Sequence, residues 1–130
     1  MLRYHALLNP ALLAHLAGAG HTDLVVIADA GLPLPPGVPV VDLSLVPGTP
    51  SFAGTATAVL AALAVESAVI AAESAGNPAE EQLAALLDGL PVEVVSHARL
   101  QELSRQARVI VRTGECTPYA NVVLIAGVTF

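Results

Sequence analysis

The stretch G-H-T-D-L-V-V-I-A-D-A-G-L-P-L-P, Gly20 to Pro35, decides the fold. Its apolar run from Leu24 to Ala28 is too short for a helix and is bounded by glycine and proline, which reads as a buried strand of an α/β sheet. His21 and Asp23 stand just before the run and Asp29 just after it, so titratable groups sit at both ends of one strand. These groups are the first candidates for chemistry.

Outward from that strand, helix and strand signals alternate. Upstream, Asn9 is placed to cap a helix whose first position is Pro10, since proline lacks the N–H that a first-turn residue leaves unpaired. Leu12, Leu13 and Leu16 give that helix one apolar face, and Gly18 ends it. Downstream, Leu32 to Pro39 contains four prolines and a glycine, which forbid helix and favour an extended, rigid loop that walls a site or an interface. Val38 to Leu43 reads as a second strand and Ser51 to Leu63 as a helix. Val65 to Ala71 fits either a continuation of that helix or a strand, and its β-branched Val65, Val69 and Ile70 favour the strand. Asn77-Pro78-Ala79-Glu80 then reads as a helix start with Asn77 as cap and Glu80 reaching back, the helix running to about Asp88 before Gly89. Val92 to Val95 is a strand, Ser96 caps a helix from His97 to near Ala107, and Val109 to Arg112 and Val122 to Ala126 are the last strands. The expected class is α/β, a three-layer αβα arrangement around a mostly parallel or mixed sheet of about six strands, in one domain covering residues 1–130.

Composition narrows the function. Apolar residues make up 55% of the chain and charged residues 12%, little polar surface for a monomer, which favours an oligomer with buried faces. A net charge of −6, from eleven carboxylates against five arginines, is the wrong sign for a phosphate-binding surface, so nucleic acid is not an expected partner. The absence of lysine excludes a Schiff-base aldolase, a lysine-anchored pyridoxal enzyme and a Walker A loop. A single cysteine, Cys116, forms no internal disulfide, and a cytoplasmic location fits. The opening residues carry a positive charge and leucines, but Asn9, Pro10 and His15 interrupt the continuous core that a signal segment needs. Ala56 to Ala72 is at the short limit for a bilayer span even before the cost of Glu66, so no membrane association is expected.

Gly18-Ala19-Gly20 has the wrong order for a dinucleotide loop, because it follows a helix and opens a strand. No histidine pair has zinc-helix spacing, and neither a metal nor another cofactor is expected, although His21, Asp23, Asp29 and His97 together would suit one if the fold gathered them. His21 lies in a loop, where an imidazole is accessible, or is simply a histidine that ends a helix. Asp29 is at the C-terminal end of a strand, where α/β sheets gather ligands, or caps the Ala30-Gly31 turn. The positive end of a helix dipole should keep the His97 ring neutral and an acceptor. Tyr119 and Asn121 supply a phenol and an amide that suit sugar hydroxyls, or serve only the turn they flank. Glu115 and Cys116 on the same turn read as structural, and His5 and His15 as surface or interface residues.

G-H-T-D with its aliphatic run and D-A-G-L-P, together with the closing R-T-G-E-C-T-P-Y-A-N and G-V-T-F, resembles the D-ribose pyranase family, which is related to fucose mutarotases. The two blocks cover over a quarter of the chain, and the alanine-rich middle from about Gly54 to Leu90 matches no motif of the family. The resemblance implies an isomerase that interconverts the pyranose and furanose forms of D-ribose without a cofactor. It implies His21 as proton donor, with Asp29, His97, Tyr119 and Asn121 holding the sugar. It also implies a homo-oligomer of decamer type. Since Leu24 to Ala28 separates His21 from Asp29 by more than a ribose ring at ~3.3 Å per residue, each site is expected to be shared between subunits. The alternatives are a mutarotase for another sugar such as fucose, a non-catalytic ribose-binding accessory to a transporter, and a structural oligomeric domain whose histidines only satisfy interface hydrogen bonds.

Overall fold

The computed structural model describes residues 7–130, so the expectation for His5 lies outside the described residues. The elements follow in the order α1 (Pro10–Ala17), β1 (Leu24–Ala28), β2 (Val40–Asp42), α2 (Phe52–Ala62), β3 (Val65–Ala71), a 3₁₀ turn at Ala72–Ser74, α3 (Ala79–Leu86), β4 (Val92–Val95), α4 (His97–Ser104), β5 (Val109–Arg112) and β6 (Val122–Ala126). The six strands form one sheet in the order β2-β5-β1-β6-β3-β4. β1 and β2 pair parallel to β5, and β3 pairs parallel to β4, while β6 runs antiparallel to both β1 and β3. The sheet is therefore mixed, with a single reversed strand near its centre.

Period-2 alternation divides the core between the two faces of this sheet. Val25, Ile27, Val109, Val111, Val122 and Leu124 meet Leu12 and Leu16 of α1, Phe52 and Val59 of α2 and Leu83 of α3 on one face. Val26, Ile110 and Val123 meet Leu100 of α4 and Leu32 on the other. The three-layer αβα arrangement is thus present, with three helices on one side and one on the other. Burial of Phe52, Leu12, Leu83 and Leu100 at 2% exposure or less locks helices to sheet at roughly 1.5–3 kcal/mol for each large side chain.

The caps follow the sequence where a side chain can reach. Asn9 Oδ1 accepts from the Leu12 N–H at 2.9 Å, Ser51 Oγ from Gly54 at 3.0 Å and Ser96 Oγ from Arg99 at 3.1 Å. Val65–Ala71 is a strand and not an extension of α2, which ends one turn earlier with its last N–H bonded from Leu63 to Val59 O. Three details differ from expectation. Asn77 does not cap α3: its amide turns back to donate to Glu73 O at 2.6 Å, an acceptor offered by the 3₁₀ turn, whereas Glu80 does reach back as expected, accepting from Gly76 N–H at 3.0 Å. α4 stops at Ser104 short of Ala107, because Arg105, Gln106 and Ala107 all bond three residues back and tighten the end into a 3₁₀ coil. The strand expected over Val38 to Leu43 keeps regular geometry only at Val40–Asp42, although ladder bonds from Ile110 N–H to Pro39 O and from Leu43 N–H to Arg112 O extend it.

Gly114 is fixed by close approach. A Cβ there would strike the backbone of Thr49, since the Leu45–Pro50 turn is bonded to it by Gly48 N–H to Gly114 O and Gly114 N–H to Pro50 O. No helix of the described residues is long and apolar enough to cross a membrane.

Candidate functional site

The parallel strands end along one edge of the sheet, and the reversed β6 begins there, so the loops after β1, β4 and β5 meet the loop before β6. This edge receives Asp29, His97, Tyr119 and Asn121. Asp29, Gly31, Leu32, Pro33, His97, Pro118 and Tyr119 line one hollow, with the proline-rich segment as a wall. A second hollow, lined by Asp29, Gly31, Glu115, Cys116 and Thr117 among others, opens on the other side of the same carboxylate.

At the floor is a closed hydrogen-bond ring. Asp29 N–H donates to Asn121 Oδ1 at 2.8 Å, and Asn121 Nδ2 donates back to Asp29 Oδ2 at 2.8 Å. Gly31 N–H donates to Asp29 Oδ1 at 2.9 Å. Asp29 thus fills both of its candidate places at once, capping the turn and facing the hollow with its remaining lone pairs. Asn121 is wholly buried, so its amide serves as the mount for Asp29 in this chain. Thr113 supports the neighbouring backbone, its hydroxyl donating to Ala28 O and accepting from Glu115 N–H.

The His97 ring packs edge-on against Tyr119, with centroids 5.2 Å apart and planes at 81°. Gln101 Nε2 lies 3.0 Å from His97 Nε2, so the amide donates and that ring nitrogen accepts. Nδ1 then carries the proton, and it is buried without a partner among the described residues. Glu73 accepts the His97 N–H with both carboxylate oxygens at 3.0 Å, an anion at the positive end of α4. Tyr119 has φ 62°, a left-handed conformation that a non-glycine residue holds only when its surroundings impose it. The sequence does not announce the Tyr119 backbone or the Glu73 partner, 24 residues away, whereas Gln101 stands one turn on from His97 in α4, a spacing that could have found it.

His21 is not at this edge. The turn that carries it is bonded to the far end of β6, through Thr22 N–H to Ala126 O at 2.8 Å and Ala126 N–H to Asp23 O at 2.9 Å. All of β1, ~16 Å of extended chain, separates it from Asp29. Its Nε2 is 2.9 Å from Glu66 Oε2, with both side chains about half exposed. Glu115 is structural, its carboxylate accepting from Phe52 N–H at the start of α2 and from the Thr117 hydroxyl. Cys116 is an exposed free thiol. Among the described residues, no three of His, Cys, Asp and Glu come close enough together to hold a metal ion.

Beyond the edge cluster, the Ser44 hydroxyl and amide, followed by the Arg112 guanidinium, hold the Asp42 carboxyl below its usual range. Arg112 also donates to Ala30 O, tying the turn after Asp29 to β5.

Residues 2–129 match the RbsD / FucU transport protein family. A D-ribose pyranase of Symbiobacterium thermophilum is 57% identical over 126 residues, covering 95% of this chain and 96% of that protein. A D-ribose pyranase of Laribacter hongkongensis is 50% identical over 131 residues, covering 99% and 100%. The structure of Bacillus subtilis RbsD complexed with D-ribose superposes with a TM-score of 0.94 at 44% identity, over 99% of this chain and 100% of that one. A fucose mutarotase from Streptococcus pneumoniae, in complex with L-fucose, shares the fold with a TM-score of 0.81 at 23% identity over 94% of each chain.

Proposed function

The chain belongs to the RbsD / FucU transport protein family, and from that premise we propose that its activity is that of a D-ribose pyranase, interconverting the pyranose and furanose forms of D-ribose. The observation that carries this reading is identity of 50–57% to D-ribose pyranases along nearly the whole chain. The enzyme is an isomerase.

The chemistry suits the residues. Ring opening breaks the bond between C1 and the ring oxygen, which takes a proton as the anomeric hydroxyl loses one. A different hydroxyl then closes on the aldehyde. Asp29, held rigid by Asn121 and Gly31, is a fixed acceptor for a sugar hydroxyl. His97 and Tyr119 line the same hollow and offer further contacts to a sugar. Asn121 acts by positioning Asp29. His21 is the proton donor, and a positioned acid contributes ~10²–10⁴-fold, roughly 3–5 kcal/mol.

Because His21 and Asp29 stand at opposite ends of β1, the reading requires His21 of one copy to reach the Asp29 hollow of another. A ring-shaped homo-oligomer of decamer type meets that requirement. Exposed apolar side chains such as Leu45, Val46, Val94 and Phe130 supply surface for such contacts. The reading takes residues 1–130 as one domain acting in the cytoplasm.

The test is exchange NMR on equilibrated D-ribose. The pyranose-to-furanose exchange rate is compared without protein, with protein and with His21→Ala. Acceleration that collapses in the variant, while assembly and ribose binding survive, supports the reading. A folded wild-type protein that binds ribose without accelerating exchange would instead be a non-catalytic binder.

A further inference from the structure

The Gly20–Asp23 turn is held more firmly than an exposed loop needs. Asp23 Oδ2 accepts from Gly20 N–H at 2.8 Å and from Arg108 at 3.1 Å, Asp23 N–H closes on Gly20 O, and Thr22 is bonded to the end of β6. Within it, Thr22 has φ 72°, a backbone state that a β-branched residue rarely adopts. Strain of this kind persists only where the surroundings impose it. The residue displayed by that turn is His21.

On the facing strand, the β3–β6 pairing slips. Val65 pairs with Ala126 but Ser67 with Ile125, which leaves Glu66 as the extra residue of a bulge. Bulges re-aim a side chain, and this one sends Glu66 to His21 Nε2 at 2.9 Å. Gly127 packs against the bulge so tightly that a Cβ there would lie 3.2 Å from Glu66 Cβ, which fixes the root of the side chain. As a contribution to stability, a half-exposed pair of this kind counts for little. Its effect is on orientation and tautomer.

We propose that Glu66 is a positioning residue for the ring-opening reaction, accepting the Nε2–H of His21 so that Nδ1 is the nitrogen that exchanges protons with the sugar. The inference rests on the reading above in which His21 moves the proton. In opening the pyranose, His21 Nδ1–H protonates O5 as the C1–O5 bond breaks, and solvent water takes the proton of the O1 hydroxyl, leaving the aldehyde. In closing the furanose, the neutral Nδ1 takes the O4 proton as O4 bonds to C1, and water returns a proton to O1. The reaction balances without a net proton. Glu66 keeps its hydrogen bond to Nε2–H through both halves, so the ring never has to turn over between them.

The experiment pairs two variants of similar size. Glu66→Gln retains an oxygen that can accept from Nε2–H, whereas Glu66→Met does not. For each, kcat and KM come from exchange NMR, and the His21 tautomer from long-range ¹H–¹⁵N spectra of histidine-labelled protein at alkaline pH. The wild-type ring is expected as the Nε2–H tautomer alone. In Glu66→Met, a mixture containing Nδ1–H appears and kcat falls about tenfold, a fraction of the ~10²–10⁴ that a positioned group supplies, while KM is unchanged. Glu66→Gln recovers most of both. A Glu66→Met protein with wild-type kcat and an unmixed tautomer overturns the proposal. So does an equal kcat loss in both variants without a tautomer change, which marks a merely structural role. If His21→Ala keeps the wild-type exchange rate, the premise about His21 fails first, and this outcome is read from a different variant.

Discussion

The ring of hydrogen bonds around Asp29 has only one workable polarity, and Asp29→Asn tests it with a change of one atom. The backbone N–H groups of Asp29 and Gly31 are fixed donors, which forces Asn121 Oδ1 toward the first and Asp29 Oδ1 toward the second. Asn121 Nδ2 must then point at Asp29 Oδ2, which has to be an acceptor as well. An amide at position 29 supplies one acceptor where two are needed. Flipping it sets N–H₂ against the Gly31 N–H, and flipping Asn121 sets N–H₂ against the Asp29 N–H, so every arrangement leaves two donors facing each other. One frustrated contact of this kind costs roughly 1–3 kcal/mol. At about 4 °C per kcal/mol for a chain of this length, the melting temperature should fall by ~4–12 °C. On the proposed reading, a sugar hydroxyl that donates to the carboxylate would meet a neutral group instead. The difference of about 1.4 kcal/mol between charged and neutral acceptors corresponds to roughly tenfold weaker ribose binding. Differential scanning fluorimetry at fixed protein concentration and calorimetric ribose titration measure the two effects. An Asp29→Asn protein with wild-type melting temperature and affinity would show that the ring does not hold Asp29 as a rigid acceptor.

Other perturbations address separate links. Serial dilution followed by activity and light scattering should show exchange activity lost together with the oligomer, and a fully active monomer would refute the shared site. Gly114→Ala should destabilise the Leu45–Pro50 turn strongly, because its Cβ meets Thr49 backbone and not a mobile side chain; unchanged thermal stability would contradict that packing. Phe52→Ala empties a site with no solvent exposure and should cost about 3–5 kcal/mol, measured as a shift in urea midpoint at constant slope. Hydrogen bonds from the Ser44 hydroxyl and amide, and then from Arg112, depress the folded-state pKa of Asp42 below the ordinary carboxylate range, so the stability it contributes is fully present above its unfolded pKa and is lost as pH falls through the folded pKa. Wild type should therefore lose slightly more stability than Asp42→Asn as pH drops below about 4, and identical acid melting curves would refute the effect.

The strands flanking the site were readable because their signal is local: Leu24–Ala28 and Val122–Ala126 are apolar runs between turn residues, and their placement needs no knowledge of distant contacts. The reversal of β6 was not readable, since strand direction depends on how the chain returns to the sheet. Asn77 shows the limit of capping rules, because its amide found a nearer acceptor at Glu73 O that exists only once the 3₁₀ turn has formed. Glu66 was visible only as a lone charge in an apolar stretch. Its partner lies 45 positions away and is brought to it by a bulge that no periodicity announces. The separation of His21 from Asp29 followed from the length of a strand, whereas Asn121's burial beneath Asp29 required the fold itself.

β6 touches both places to which the proposed function assigns chemistry. Its entrance is the segment that mounts Asp29 through Asn121, and its exit holds the His21 turn through Ala126 and abuts Glu66 through Gly127. A single residue inserted or deleted within it would turn every later side chain to the opposite face and displace one group from the other along the sheet. Length variation among homologues should therefore concentrate at places such as Gly76, where φ is positive and a side chain would meet open space, and be absent between Thr113 and Gly127. The strand serves as a gauge block that sets the distance between the two groups.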